Sequence, residues 1–170
     1  MKLYLRNLRL FVLLAAGILA VTLNNTIEGF SVVFGLALIV SSALTVIFIF
    51  LNFDKDINQK IVMEMIMDGF SGLVLFTYPE SGQNFFLIIF AFWIAVMGIF
   101  LLTSGLMDED HKPFLWLYTL TGIIMLVLGF VIMNYNEAYM SSIMYLVGFT
   151  MIIYTGTELY LTFKRHREIY

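Results

Sequence analysis

Apolar runs of roughly 18 or more residues, long enough to cross about 30 Å of hydrocarbon as helix, recur along this chain between short polar stretches. The first continues from Arg9 to about Leu23, after a basic start at Lys2 and Arg6, and a turn of Asn24, Asn25 and Glu28 ends it. The second covers residues 30–51, followed by a polar link from Asn52 to Lys60. The third spans about Ile61 to Tyr78, where Pro79 stops it and biases Tyr78 away from helical geometry. The fourth covers about 84–107, and the charged link 107–113 leads to Pro113, a residue suited to the first turn of a fifth helix. That helix ends near Met133, residues 134–138 turn the chain, and a sixth helix runs from about Tyr139 to Phe163. The pattern predicts an all-α protein of six transmembrane helices in a single domain, residues 1–170.

The pattern also repeats. Gly72 and Pro79 have counterparts 55 residues earlier in Gly17 and Asn24, and 57 residues later in Gly129 and Asn136. A small residue follows each glycine: Gly35 eighteen on, Ala91 nineteen on and Gly148 nineteen on. One helical hairpin is thus written three times, over approximately 5–51, 61–107 and 113–163. The start of the chain has the outline of a secretory signal peptide, a basic segment before an apolar one. Because it carries the first copy of the repeat, we read it as a retained first span.

Composition agrees with a membrane protein. Hydrophobic residues make up 61% of the chain and charged ones 12%, against about 45–50% and about 25% in soluble domains. There is no basic patch interleaved with aromatics, so nucleic acid is not an expected partner. Cysteine is absent, which excludes disulfides, thiolate catalysis and cysteine metal sites.

The charges are sharply partitioned. Lys2, Arg6, Arg9, Lys55, Lys60, Lys112, Lys164, Arg165 and Arg167 are all nine basic residues, and a six-span reading puts every one on one side. The opposite turns carry Glu28, Glu80 and Glu137 and no Lys or Arg. Basic loops face the cytoplasm, so both termini are expected there.

Lipid removes most of the hydrophobic drive between helices, which leaves close packing of small residues and polar contacts. The expected packing positions are Gly17, Gly35, Gly69, Gly72, Ala91, Ala95, Gly98, Gly105, Gly122, Gly129, Gly148 and Gly156. Tyr78, Tyr135 and Tyr139 fall at the outer ends, where aromatic rings favour the interface. Three carboxylates stand out within the spans, Glu64, Asp68 and Glu158, because an intramembrane acid is costly and a default functional candidate. Glu64 and Asp68 are four apart and share a helix face. Asp68 lies about 10 Å in from Ile61 and Glu158 about 9 Å in from Lys164, at 1.5 Å per residue. Thr103, Ser104 and Thr157 can join them at that depth. Two readings follow: a cytoplasm-facing polar cavity that exchanges protons near neutral pH, or a neutral, hydrogen-bonded carboxyl tying the third helix to the sixth. The second is preferred, with Asp68 facing Glu158 or a hydroxyl. His111 and His166 fall outside the spans beside other charges and are read as solvated. No catalytic, phosphate-binding or metal motif is present, so no enzyme activity, cofactor or metal is expected.

Tandem two-helix repeats, each with a mid-helix Gly, a Pro or Asn turn and a second helix rich in small residues, resemble the HdeD family. Gly72 to Pro79, with Gly98, carries the resemblance best. It implies a small, non-enzymatic protein of the bacterial inner membrane, with a role in envelope or acid-stress tolerance. The alternative is a small-solute or proton channel or transporter with its path among the three hairpins. The expected partners are the lipid bilayer and either a second copy of the chain or another membrane protein.

Overall fold

The computed structural model describes residues 3–22, 27–52, 59–107, 114–134 and 140–168. Described residues form six α-helices: α1 (Leu3–Thr22), α2 (Ile27–Leu51), α3 (Gln59–Thr77), α4 (Gln83–Met107), α5 (Leu115–Met133) and α6 (Met140–Glu168). Five of them, all but α3, are long and apolar enough to cross a membrane, which makes this a multi-pass membrane protein. α3 is 19 residues long, as α5 is, but it carries Lys60, Glu64 and Asp68. The stop expected at Pro79 is present: α3 ends at Thr77, and Pro79–Ser81 forms a single 3-10 turn. Gly82 then redirects the chain into α4 at φ 89°, a conformation that glycine adopts without steric cost. Asn24, Asn25, Pro113, Tyr135, Tyr139, His111 and the turns at Glu28 and Glu137 lie outside the described residues or side chains.

The closest-packed helix pairs are α4 with α5, α2 with α3, and α1 with α6. These pairs join successive hairpins, and α1 with α6 closes the ring. The repeat glycines explain it. A methyl group placed on Gly72 would lie 2.9 Å from the Gly35 carbonyl oxygen, and one on Gly148 would lie 2.7 Å from that of Gly17. On Gly129 it would lie 3.1 Å from the carbonyl of Ala91. Each repeat glycine therefore meets a small residue of a neighbouring copy, not the one eighteen or nineteen residues on in its own. Gly98 and Gly122 repeat the contact one step along α4 and α5, each 2.9 Å from the other's carbonyl by the same construction. Ser31 and Ser42 reinforce α2 against α3, donating to the carbonyls of Leu75 and Met65 at 3.0 and 2.9 Å. Such close backbone approach, with hydroxyl bonds across it, is how helices associate in lipid.

The ring closes on bulky side chains from α2, α4 and α6. Phe34, Phe90, Trp93, Met97 and Tyr154 are all fully buried. Phe34 meets Phe90 and Trp93 edge to face at centroid distances of 5.3 and 5.9 Å, and Trp93 meets Tyr154 at 5.7 Å. Edge-to-face contacts of this kind bind more tightly than their buried area alone implies. One end of the bundle is apolar beyond this column, with Phe30 and Phe86 stacked on it. The other end, where α1 and α3 begin and α6 finishes, is where the charges collect.

Candidate functional site

Apolar helices bring few polar side chains inward, and those few meet. The deepest is Asp68 on α3, with no accessible surface. Its Oδ1 accepts from Trp93 Nε1 on α4 at 2.9 Å. Its Oδ2 accepts from Arg9 Nε and Nη2 on α1 at 3.1 and 2.9 Å, and from Ser41 Oγ on α2 at 2.6 Å. Asp68 thus ties four helices together. Ser41 also accepts from Arg9 Nε at 3.0 Å, so its single proton is committed to Asp68.

One turn toward the basic end, Glu64 accepts from Arg9 Nη1 through Oε2. Its Oε1 lies 3.5 Å from Lys60 Nζ. Lys60 donates in turn to Glu158 Oε1 on α6 at 2.6 Å, and Arg6 Nη2 reaches Glu158 Oε2 at 3.4 Å. The result is a ladder of alternating charge: Asp68, Arg9, Glu64, Lys60, Glu158, Arg6. Three cations face three carboxylates, and all but Arg6 are almost fully buried, Arg6 having 21% of its side chain accessible. Ions at this depth are tolerated when paired; Glu64 Oε1 has its ion pair with Lys60 but no hydrogen bond.

The sequence candidates therefore come together, but not as expected. Asp68 and Glu158 do not face each other; Arg9, Glu64 and Lys60 stand between them. A proton-bearing Asp68 does not fit its surroundings, because its two oxygens accept from four donors and an ionised carboxylate is acceptor-only. The counter-charge is Arg9. Read from sequence as a topological anchor, it is 2% exposed. Of the hydroxyls placed at this depth, Ser104 is buried and Thr157 pairs with Thr121 across α5 and α6 at 3.3 Å. Thr103 is exposed and donates to the Ile99 carbonyl of its own helix. Gly156 differs from the other packing positions: it faces outward on α6, and nothing lies within 4 Å of where its side chain would begin.

Beside Arg6, Arg9, Thr45 and Glu64 is a cavity of about 10 Å³. That is room for about one water molecule. Toward the apolar end the ladder stops at Trp93, whose far side is covered by Phe34, Phe90 and Tyr154. Tyr154 Oη donates to the Met97 sulfur at 3.5 Å, a weak acceptor.

Two stretches of the chain, residues 69–134 and 120–169, match the family described as a short repeat of unknown function (DUF308). The chain belongs to that family. The matched repeats run from within α3 to the end of α6, and so contain Gly72, Ala91, Gly98, Gly122, Gly129 and Gly148. These residues set the α4–α5 pair and supply one side of the α2–α3 and α1–α6 pairs, whose other sides, Gly35 and Gly17, precede the matched stretches. Arg9, Glu64 and Asp68 precede the matched stretches, so the deep part of the ladder lies outside the repeat match. Nothing among curated proteins or solved structures matches the chain.

Proposed function

We propose that this protein is a non-enzymatic, HdeD-like protein of a bacterial inner membrane. It crosses the bilayer six times as three hairpins with both termini in the cytoplasm. Its role is support of envelope or acid-stress tolerance through contacts with lipid or other membrane proteins, not passage of a solute. α3 counts as a span because its 19 residues reach about 28 Å as helix. Its carboxylates enter the bilayer already paired with Arg9 and Lys60. The nine-for-nine placement of basic residues supports the orientation.

The observation that carries the non-conducting reading is the aromatic column. A permeation path needs polar or hydrated lining. Here Phe34, Phe90, Trp93 and Tyr154, all fully buried, fill the centre directly above the charge ladder. The ladder itself is interlocked and leaves room for about one water. Proteoliposome flux assays with protons and a panel of small solutes test the reading. Rates should stay within about twofold of protein-free vesicles. Solute- or proton-selective flux well above that background, lost on substitution of Asp68 or Trp93, would establish the transporter alternative instead.

A further inference from the structure

One carboxylate oxygen of the ladder still lacks a donor. Glu64 is fully buried on α3, and its Oε2 accepts from Arg9 Nη1. Its Oε1 is buried as well and accepts no hydrogen bond. Lys60 Nζ stands 3.5 Å from it as an ion pair, while the 2.6 Å hydrogen bond of Lys60 goes to Glu158. A buried charged oxygen without a donor is costly, and such atoms are nearly always found with a partner.

The cavity of about 10 Å³ lies against this carboxylate. Its polar lining comes from Arg6 and Arg9 on α1, Thr45 on α2 and Glu64 on α3. Arg9 uses one N–H on each of its nitrogens to bind Ser41, Glu64 and Asp68, which leaves a second N–H on Nη1 and on Nη2. Thr45 gives its hydroxyl proton to the Ser41 carbonyl at 2.9 Å and can otherwise only accept. A molecule in the cavity must therefore donate to Glu64 and accept from a guanidinium. A metal ion or an ammonium has no lone pair for the guanidinium and is repelled by two arginines. Chloride has no proton for Glu64. Water has both, and the space admits about one.

We propose that this cavity is a binding site for one structural water, which donates to Glu64 Oε1 and Thr45 Oγ1 and accepts from a guanidinium N–H of Arg9. It joins α1, α2 and α3 at the level of Glu64, one turn from where Ser41 joins them at Asp68. Water arrives past Arg6, the partly exposed cation at the basic end. The proposal goes beyond the non-conducting reading and does not depend on it. Beyond the cavity Trp93 and its neighbouring rings cover Asp68, so a single bound water opens no path.

The experiment is a crystal structure of the full chain grown from a lipid phase, at a resolution that shows ordered waters elsewhere, with bromide replacing chloride in a parallel crystal. A density peak should lie about 2.6–3.2 Å from Glu64 Oε1 and from an Arg9 Nη nitrogen, with no anomalous signal from bromide. Thr45→Val, close to threonine in shape, should keep the peak, because Glu64 and Arg9 hold it. Thr45→Ile puts a longer side chain into the cavity and should lose it. No peak in the unaltered chain would overturn the proposal, most directly if Lys60 Nζ is found within hydrogen-bonding distance of Glu64 Oε1. So would a bromide signal, which makes the occupant an anion, a peak that persists in Thr45→Ile, or its loss from Thr45→Val.

Discussion

Arg9 and Asp68 stand 59 positions apart in the chain, yet two nitrogens of the guanidinium donate to one carboxylate oxygen, at 3.1 and 2.9 Å. The pair crosses from α1 to α3 inside the bundle, and both side chains are almost completely buried. Its energetics are set by what remains when one partner is removed. A buried ion pair contributes little net stability compared with a well-packed apolar pair, but half of one is costly.

Arg9→Met is the most damaging single change expected in the ladder. It leaves Glu64 and Asp68 buried close together without their shared cation. The loss should be about 3–5 kcal/mol, read as a lowered unfolding midpoint in detergent. Asp68→Asn should cost less, about 2–3 kcal/mol, because Arg9 keeps Glu64. A midpoint unchanged in both variants would mean that the ladder does not hold the helices together.

Glu158→Gln should be milder than Asp68→Asn, by at least about 1 kcal/mol in the same assay. Arg6 is partly exposed, and Lys60 retains Glu64 as a partner. Water and one remaining carboxylate can then satisfy the cations that Glu158 releases. The reverse order of the two losses would contradict the depth assigned to each rung.

Gly72→Ala and Gly156→Ala should separate sharply although they are the same substitution. At Gly72 the new methyl would lie 2.8 Å from the backbone nitrogen of Ile39 and 2.9 Å from the Gly35 carbonyl, so α2 and α3 must part. Overpacking of this kind costs about 1–3 kcal/mol. At Gly156 there is nothing to displace, and alanine's helix propensity should make the change neutral or stabilising by up to about 1 kcal/mol. Thermal unfolding of the two variants side by side decides it.

Cysteine crosslinking tests the pairing between hairpins, and the chain offers a clean background because it has no cysteine. A β-carbon at Gly69 would lie 3.6 Å from that of Ser42, inside the usual disulfide range of about 3.5–4.5 Å. Ser42→Cys with Gly69→Cys should therefore oxidise readily, joining α2 to α3. Ser42→Cys with Gly156→Cys should not. Equal crosslinking of both pairs would break the proposed register.

Sidedness is checked with reporter fusions. A reporter active only outside the cytoplasm should work at residues 82 and 137 and fail after residues 55 and 112. Activity in the opposite pattern would reverse the orientation inferred from the basic residues.

By itself the sequence determined the helices, because in lipid every backbone polar group must be satisfied within its own segment. Apolar length and the breaker at Pro79 therefore mark the limits of α3 and α4 closely, expected at about 61–78 and 84–107 and running Gln59–Thr77 and Gln83–Met107, whereas α6, expected to end near Phe163, continues to Glu168. The repeat was legible too, since Gly17, Gly72 and Gly129 recur with their small partners at nearly fixed spacing. Spacing along one chain does not say which copy a glycine will touch. That Gly72 meets Gly35 of the preceding hairpin, not Ala91 of its own, is a consequence of closing three hairpins into a ring. The acidic half of the site could be read from sequence, because a carboxylate in an apolar run is conspicuous. The basic half could not, because Arg9 near the start of a span looks like an interfacial anchor. Counting from Leu3 at 1.5 Å per residue places it about 9 Å along α1, close to the depth of Asp68, and that was its one local signal. Only the tertiary structure decided that Arg9 points inward. Packing α1 between α2 and α6 buries its guanidinium, which takes the carboxylates of α3 as partners.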